Sequence, residues 1–262
     1  PRPAPMTIAS FAPPFSLASL AIDPAAETDR LAEAIRRQVF GELRRKGAVL
    51  GLSGGIDSSV CAALCVRALG SSRVLALFMP ERDSSAESLR LGRLLARHLG
   101  IEAIVEDVSA ALEAAGCYRR FDEALARVFP DYTPDCKAKI VLPSLLEGDQ
   151  YRLFTAVIQT PDGQMHRKRL PLEAYQEVVA ATNFKQRVRK MMEYHHADRL
   201  RYAVVGTPNR LEHDQGFFVK NGDGAADLKP IAHLYKTQVY RLAEHLGVPE
   251  EICTRPPTTD TY

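Results

Sequence analysis

No stretch of this 262-residue chain approaches the roughly 18 consecutive apolar residues that a membrane span requires, so a membrane partner is not expected. Net charge is nearly absent as well. A balance of +2 at neutral pH gives no case for a broad nucleic-acid surface, although Arg and Lys cluster locally. Cysteines are few and unpatterned: Cys61, Cys65, Cys117, Cys136 and Cys253 are odd in number and fit free thiols in a reducing, cytoplasmic compartment. Cys61 and Cys65, one helical turn apart, read as small core residues ahead of any zinc or redox use. Nor does the sequence show a nucleophile with a triad. It does have core material: 46% hydrophobic and 25% charged residues, which at this length suits one large α/β domain better than two small ones.

Residues 1–26 are rich in Pro and Ala, and Pro13-Pro14 would fall in the apolar centre of any signal peptide, so they read as a loose arm with Met6 as a natural start. Residues 27–262 read as a single domain. Leu31, Ile35, Val39 and Leu43 recur every fourth position and predict a helix over 28–45. Strands then alternate with helices: strand 48–52, helix 57–69 stopped by Gly70, strand 74–79, a helix from the Ser84-x-x-Glu87 capping box to His98, and strand 101–105. Such crossovers are right-handed, so a doubly wound, Rossmann-like parallel sheet covered on both faces is expected, with ligands at the strand carboxyl ends. The rhythm breaks over about 117–172. There, 151–159 and 165–170 flank Thr160-Pro-Asp-Gly163 as an inserted β-hairpin, readable as a lid, an oligomer contact or decoration, and 129–134 reads as loop. A helix over 172–198, a strand over 202–206 and a helix over 234–245 follow.

The most informative segment is Ala48-Val-Leu-Gly-Leu-Ser-Gly-Gly-Ile-Asp-Ser-Ser-Val60, a buried strand joined to a helix through a glycine turn lined with hydroxyls. Backbone N–H groups at Ser53, Gly54 and Gly55 can converge on an anion, and the helix start adds unpaired N–H groups and the positive end of its dipole. The lysine of a Walker A loop is missing and Asp57 stands in the turn. A carboxylate facing polyphosphate repels it unless a cation lies between, so the loop implies Mg2+ and an anion such as pyrophosphate. A plain strand-to-helix turn would use the same residue types, but not two glycines, three serines and an acid in this order.

Ser53-Gly-Gly-Ile-Asp-Ser-Ser59 resembles the SGGxDS signature of ATP pyrophosphatases, which cut ATP between the α and β phosphates and share an adenine nucleotide alpha hydrolase-like fold. The second half narrows the resemblance. Asn183-Phe-Lys-Gln-Arg-Val-Arg189, Gly206-Thr207 with Glu212, Gly216 through Asp227, Tyr235-Lys236-Thr-Gln238 and Pro257-Thr258-Thr-Asp260 are similar, in order and register, to the motifs of ammonia-dependent NAD synthetases. These motifs fall within about 48–110 and 172–262. Ile56 stands where many members carry Gln, Ala225 where Gly is usual, and the hairpin has no counterpart in the short bacterial enzymes.

The resemblance implies amidation of deamido-NAD to NAD by ATP and ammonia through an adenylate, with release of AMP and pyrophosphate. By position it implies Gly51, Leu52, Ser53, Gly54, Gly55, Ile56, Asp57, Ser58, Thr207, Lys236 and Thr258 for ATP. Asp57 and Glu212 would hold Mg2+, and Arg187, Lys220 and Asp227 would meet the dinucleotide. Asp57 and Lys236 would be catalytic. The family also implies a homodimer and a C-terminal tail over the substrate, so residues past Tyr262 are expected. The 47 residues before the loop are too few for a glutaminase domain, so free ammonia or a separate glutaminase would supply nitrogen.

Other readings compete. Lys185, Arg187, Arg189 and Lys190 could form a basic face for RNA, as in a tRNA-modifying relative; a different carboxylate could be the acceptor; or the chain could be a degenerate nucleotide-binding module. Asp223 and Asp227 among glycines could suggest a calcium loop, but the EF-hand spacing is missing. His195-His196 reads as a solvated pair, since neighbours on a helix face different ways.

Overall fold

The first helix starts earlier than its apolar spacing suggests, because Asp23 caps it and Pro24 occupies its first turn. In a computed structural model that describes residues 16–141 and 154–256, α1 spans Pro24–Arg36 and passes into a π-helical turn at Arg37–Glu42. β1 (Ala48–Gly51), α2 (Ile56–Leu69), β2 (Val74–Phe78), α3 (Ala86–Leu99) and β3 (Glu102–Val105) follow in the expected alternation. Ser85, not Ser84, caps α3: its side chain accepts from Glu87 N at 3.2 Å, while Ser84 Oγ accepts from Glu81 N within the preceding loop. Beyond β3 come α4 (Ser109–Ala114), α5 (Cys117–Ala126), β4 (Lys137–Val141), β5 (Thr155–Gln159), β6 (Met165–Arg169) and α6 (Leu172–Leu200). β7 (Ala203–Val204), α7 (Arg210–Asp214), α8 (Lys236–His245) and α9 (Glu250–Cys253) complete the order.

The central sheet is parallel, in the order β3-β2-β1-β7. Side chains alternate across it. Ala48, Leu50, Val74, Ala76 and Phe78 join α1, α2, α3 and α8 in one core, while Val49, Leu75, Leu77 and Val204 meet Tyr194, Ala197 and Leu200 of α6 in another. Both faces are thus covered. All four strands deliver their carboxyl ends to one edge, where the glycine turn lies.

The expected hairpin exists, with Gly163 at φ +88° and its N–H donating to Thr160 O, but it is part of a three-stranded antiparallel sheet, β4-β5-β6. Its inner residues Ala138, Ile140, Ala156 and Ile158 pack against Ala124, Leu125 and Val178. Phe129 and Tyr132, from the stretch expected to be loop, are buried in the same cluster. The expected hairpin strand begins at residues 151–153, which lie outside the described residues, as do most of the N-terminal arm and the whole of Pro257-Thr258-Thr-Asp260.

At the protein's edge, Arg30 donates to Glu27 at 2.8 and 2.5 Å, and His233 lies 2.6 Å from the same carboxylate. The Arg30 guanidinium, backed by His233, outweighs burial and lowers the Glu27 carboxyl from 4.5 to about 2. A depressed folded-state value means the stabilisation is complete above about pH 4.5 and is lost as pH falls toward 2. Glu27→Gln should therefore cost about 1 kcal/mol at pH 7 after allowance for solvent screening, or about 2–4 °C in Tm, with the difference closing in acid. Thermal melts of both proteins from pH 7 to pH 3 check this.

Candidate functional site

Gly55 has no side chain with which to cap α2, so the first-turn N–H groups of that helix open onto the sheet's carboxyl edge. The serines around it serve the loop's shape. Ser58 Oγ and Ser59 Oγ donate to Gly55 O at 3.0 and 2.8 Å, and Gly55 N donates to Ser53 Oγ at 3.3 Å. Gly54 sits at φ +74°, and a Cβ there would stand 2.6 Å from the Ser88 carbonyl oxygen, so the turn is pressed against the first turn of α3.

Asp57, on the first turn of α2, forms an ion pair through Oδ2 with Lys236 at the start of α8. Its Oδ1 is buried and has no hydrogen-bond partner among the described residues. A carboxylate oxygen left this way is costly unless a cation or donor completes it. Glu212, on α7, faces the same space. An Asn209–Glu212 capping box orients it, with Asn209 N donating to Glu212 Oε2 at 2.9 Å. Burial pushes the Glu212 carboxyl up, the Asn209 N–H opposes this, and Asp57 pushes it up again. Two carboxylates facing one space, one of them with an open oxygen, are a donor set suited to a hard divalent cation.

The cleft around these groups encloses about 510 Å³. Gly51, Leu52, Ser53, Gly55, Ile56, Asp57, Ser58, Thr207, Glu212 and Lys236 all line it, so most of the residues singled out in the sequence meet in one place. Gly54 lies just behind the surface, buried against α3. Arg187, Lys220 and Asp227 are not on its wall. Arg187 Nε donates to Lys220 O at 3.1 Å on an exposed rim, and Asp227 Oδ2 accepts from Val204 N at 2.8 Å, which pins its loop to β7. Thr258 lies outside the described residues.

Several lining residues escaped the sequence reading. Gln186, Arg189, Lys190 and Glu193 project from α6, and Arg255 reaches over from the C-terminal side to Ser88 Oγ at 3.3 Å. Lys185, Arg189 and Glu193 share one helical stripe, a signal legible in the sequence but read there as an outward basic face. That face does not form. Lys185 and Lys190 are 7% and 5% exposed, and Lys190 Nζ is 2.5 Å from Glu193 Oε2. Burial raises the Glu193 carboxyl, with Lys190 opposing. The histidine pair is also not solvated as expected: His196 is buried, 2.7 Å from Glu106 and 3.0 Å from Arg199. Asp223, considered for a calcium loop, instead accepts from Val219 N at 2.8 Å.

The model of the family described as NAD synthase matches residues 27–128 and 151–262, a span that includes β5 and β6 and omits 129–150. The chain is 58% identical over 261 residues to the NH(3)-dependent NAD(+) synthetase of Rhizobium rhizogenes, covering 100% of this chain and 78% of the relative. Among solved structures, an NH3-dependent NAD synthetase from Campylobacter jejuni in complex with the nitrate ion superposes with a TM-score of 0.61 at 25% identity, over 88% of this chain and 77% of that one. An NMN synthetase from Francisella tularensis does so with a TM-score of 0.65 at 25% identity, over 92% and 77%.

Proposed function

The chain belongs to the NAD synthase family, and we propose that its cleft binds ATP and Mg2+ to convert the carboxylate of deamido-NAD into the amide of NAD with ammonia. The observation that carries this reading is the glycine turn with Asp57 at its head, one carboxylate oxygen paired with Lys236 and the other open.

A nicotinate carboxylate does not react with ammonia at neutral pH, because oxide is a hopeless leaving group. ATP supplies a better one. A carboxylate oxygen attacks the α-phosphorus, the bond to the β-phosphate oxygen breaks, and pyrophosphate departs onto the α2 N-terminus, where N–H groups and the helix dipole receive it. Lys236 adds a positive charge beside it. Ammonia then attacks the acyl carbon, AMP leaves with the carboxylate's former oxygen, and the extra proton on nitrogen passes to solvent. No covalent protein intermediate is needed.

Asp57 and Glu212 would hold the Mg2+ through their carboxylate oxygens. When bound, the metal neutralises charge on the phosphates and on pyrophosphate as it forms. Arg187 and Lys220, on the exposed rim, would meet a dinucleotide reaching beyond the cleft, and Asp227 fixes the loop that carries Lys220. A homodimer belongs to this reading, with the partner subunit closing over that rim.

Incubation with ATP, Mg2+, deamido-NAD and ammonium should give NAD, AMP and pyrophosphate in equal amounts. ADP and phosphate as products would sink the reading. A panel of carboxylates run alongside tests the acceptor, since turnover of a mononucleotide in preference to the dinucleotide would reassign it.

A further inference from the structure

The loop after β2, residues 79–85, forms the wall of the cleft on the far side of β1 from Glu212. Met79, Pro80, Ser84 and Ser85 present apolar faces and hydroxyls there, whereas the β7 side gathers Glu212, Asp223 and Lys236. The first composition suits a purine and ribose, the second phosphates and metal. This assignment rests on the ATP reading given above.

What holds that loop comes from outside the strand-helix repeat. Lys185 Nζ, on α6, donates to Glu81 Oε1 at 3.0 Å and to Asp83 Oδ2 at 2.5 Å. Tyr118 OH, on α5, donates to Glu81 Oε2 at 2.9 Å and accepts from Arg82 N at 3.2 Å. Arg82 reaches α5 by a two-pronged contact with Asp122, at 3.1 and 3.3 Å, and Tyr132 OH donates to the same carboxylate at 2.8 Å. Arg189 closes the other end, donating to Met79 O at 3.1 Å and Ser84 Oγ at 3.3 Å. Burial pushes the Asp83 carboxyl up, but Lys185 and then Arg82 outweigh it and hold it below its ordinary range.

Glu81, Asp83 and Asp122 carry as many charges as Arg82, Lys185 and Arg189, so the cluster adds no net charge to the neighbouring wall. Stability does not call for it either, since the buried Lys185–Glu81 pair gains little over apolar residues of the same volume and the more exposed Arg82–Asp122 pair is screened by solvent. What such a cluster supplies is a fixed geometry, because each charged group is costly in any other arrangement.

We propose that Lys185, Arg82 and Asp122 are positioning residues for the nucleoside half of ATP, holding residues 79–85 against α5 and α6 so that the adenosine meets a preformed wall. The region from α5 to Tyr132 then serves the active site and is not decoration.

The test uses the full chain, with Asp122→Asn and Lys185→Met compared with the wild-type protein. Calorimetry measures the binding of AMP, and separately of Mg2+-pyrophosphate; steady-state kinetics separate the KM for ATP from kcat. Each variant should lose about tenfold in AMP affinity and gain about tenfold in ATP KM, with pyrophosphate affinity and kcat within about twofold of wild type, as expected when a binding wall is displaced but the reacting groups are not. Lys185→Arg should recover most of the loss. Unchanged AMP affinity in Asp122→Asn, or equal losses of AMP and pyrophosphate affinity, would overturn the proposal; Asp122 is the less buried site and keeps the test valid should Lys185→Met fail to fold. Wild-type protein that bound neither AMP nor pyrophosphate would instead overturn the ATP reading itself.

Discussion

Asp57→Ala is expected to lower kcat/KM by about 10³-fold or more, the scale on which removal of one preorganised electrostatic group acts. The substitution removes two things at once. It frees Lys236 from its ion pair, and it deletes the buried Oδ1 that has no hydrogen-bond partner among the described residues. The fold should survive, because the first turn of α2 is held by the serine bonds to Gly55 O and by the apolar residues from Ile56 onward. Asp57→Asn should retain part of the loop's geometry but not its charge, and raising Mg2+ should recover more of its rate than that of Asp57→Ala. Initial rates over a Mg2+ titration, with circular dichroism to confirm folding, check this. A rate within tenfold of wild type would remove the acid from the site.

Gly54→Ala is the second large effect expected. At φ +74° an alanine carries the left-handed backbone penalty, roughly 1–2 kcal/mol. Its Cβ would also lie 2.6 Å from Ser88 O and 3.2 Å from Ser88 Cα, both backbone atoms of α3 that cannot swing away. Either the turn or α3 must shift, adding about 1–3 kcal/mol and lowering Tm by about 10 °C in all. Because the proposed function has the same turn receive pyrophosphate, kcat/KM should fall about 10²-fold. Gly100→Ala separates the two causes: Gly100 also has positive φ, +63°, but nothing lies within 4 Å of its added Cβ. It should lose about 1 kcal/mol of stability and no activity. Equal activity losses in both variants would place the cause in global stability, not in the turn.

Much of the site was legible because its signals are local. A glycine turn between a buried strand and a helix, with an acid in it, implies an anion and a cation from residue chemistry alone. The alternation around it sets the sheet edge where it lies. Signals that depend on tertiary contact were lost. Lys185, Arg189 and Glu193 form a polar stripe that any helix could turn to water; only the packing of α6 across the carboxyl edge of β1 turns it inward. β4 escaped notice because Lys137-Ala-Lys-Ile-Val141 buries its inner face with no residue larger than Ile140, next to a stretch without periodicity. Ser84 matched a capping box by spacing, yet Ser85 takes the cap, since Ser84 is engaged by Glu81 and Arg189. Asp227, read as a substrate contact, spends one oxygen on the Val204 N–H, a backbone bond that no motif announces.

In the proposed reaction a carboxylate oxygen of the acceptor forms a bond to the α-phosphorus of ATP and stays with AMP. Deamido-NAD labelled with oxygen-18 in its nicotinate carboxyl group, turned over with unlabelled ATP and ammonium, tests this most directly by mass spectrometry of the products. AMP should carry one labelled oxygen per turnover and pyrophosphate none. Label in pyrophosphate or inorganic phosphate, with AMP unlabelled, would contradict it.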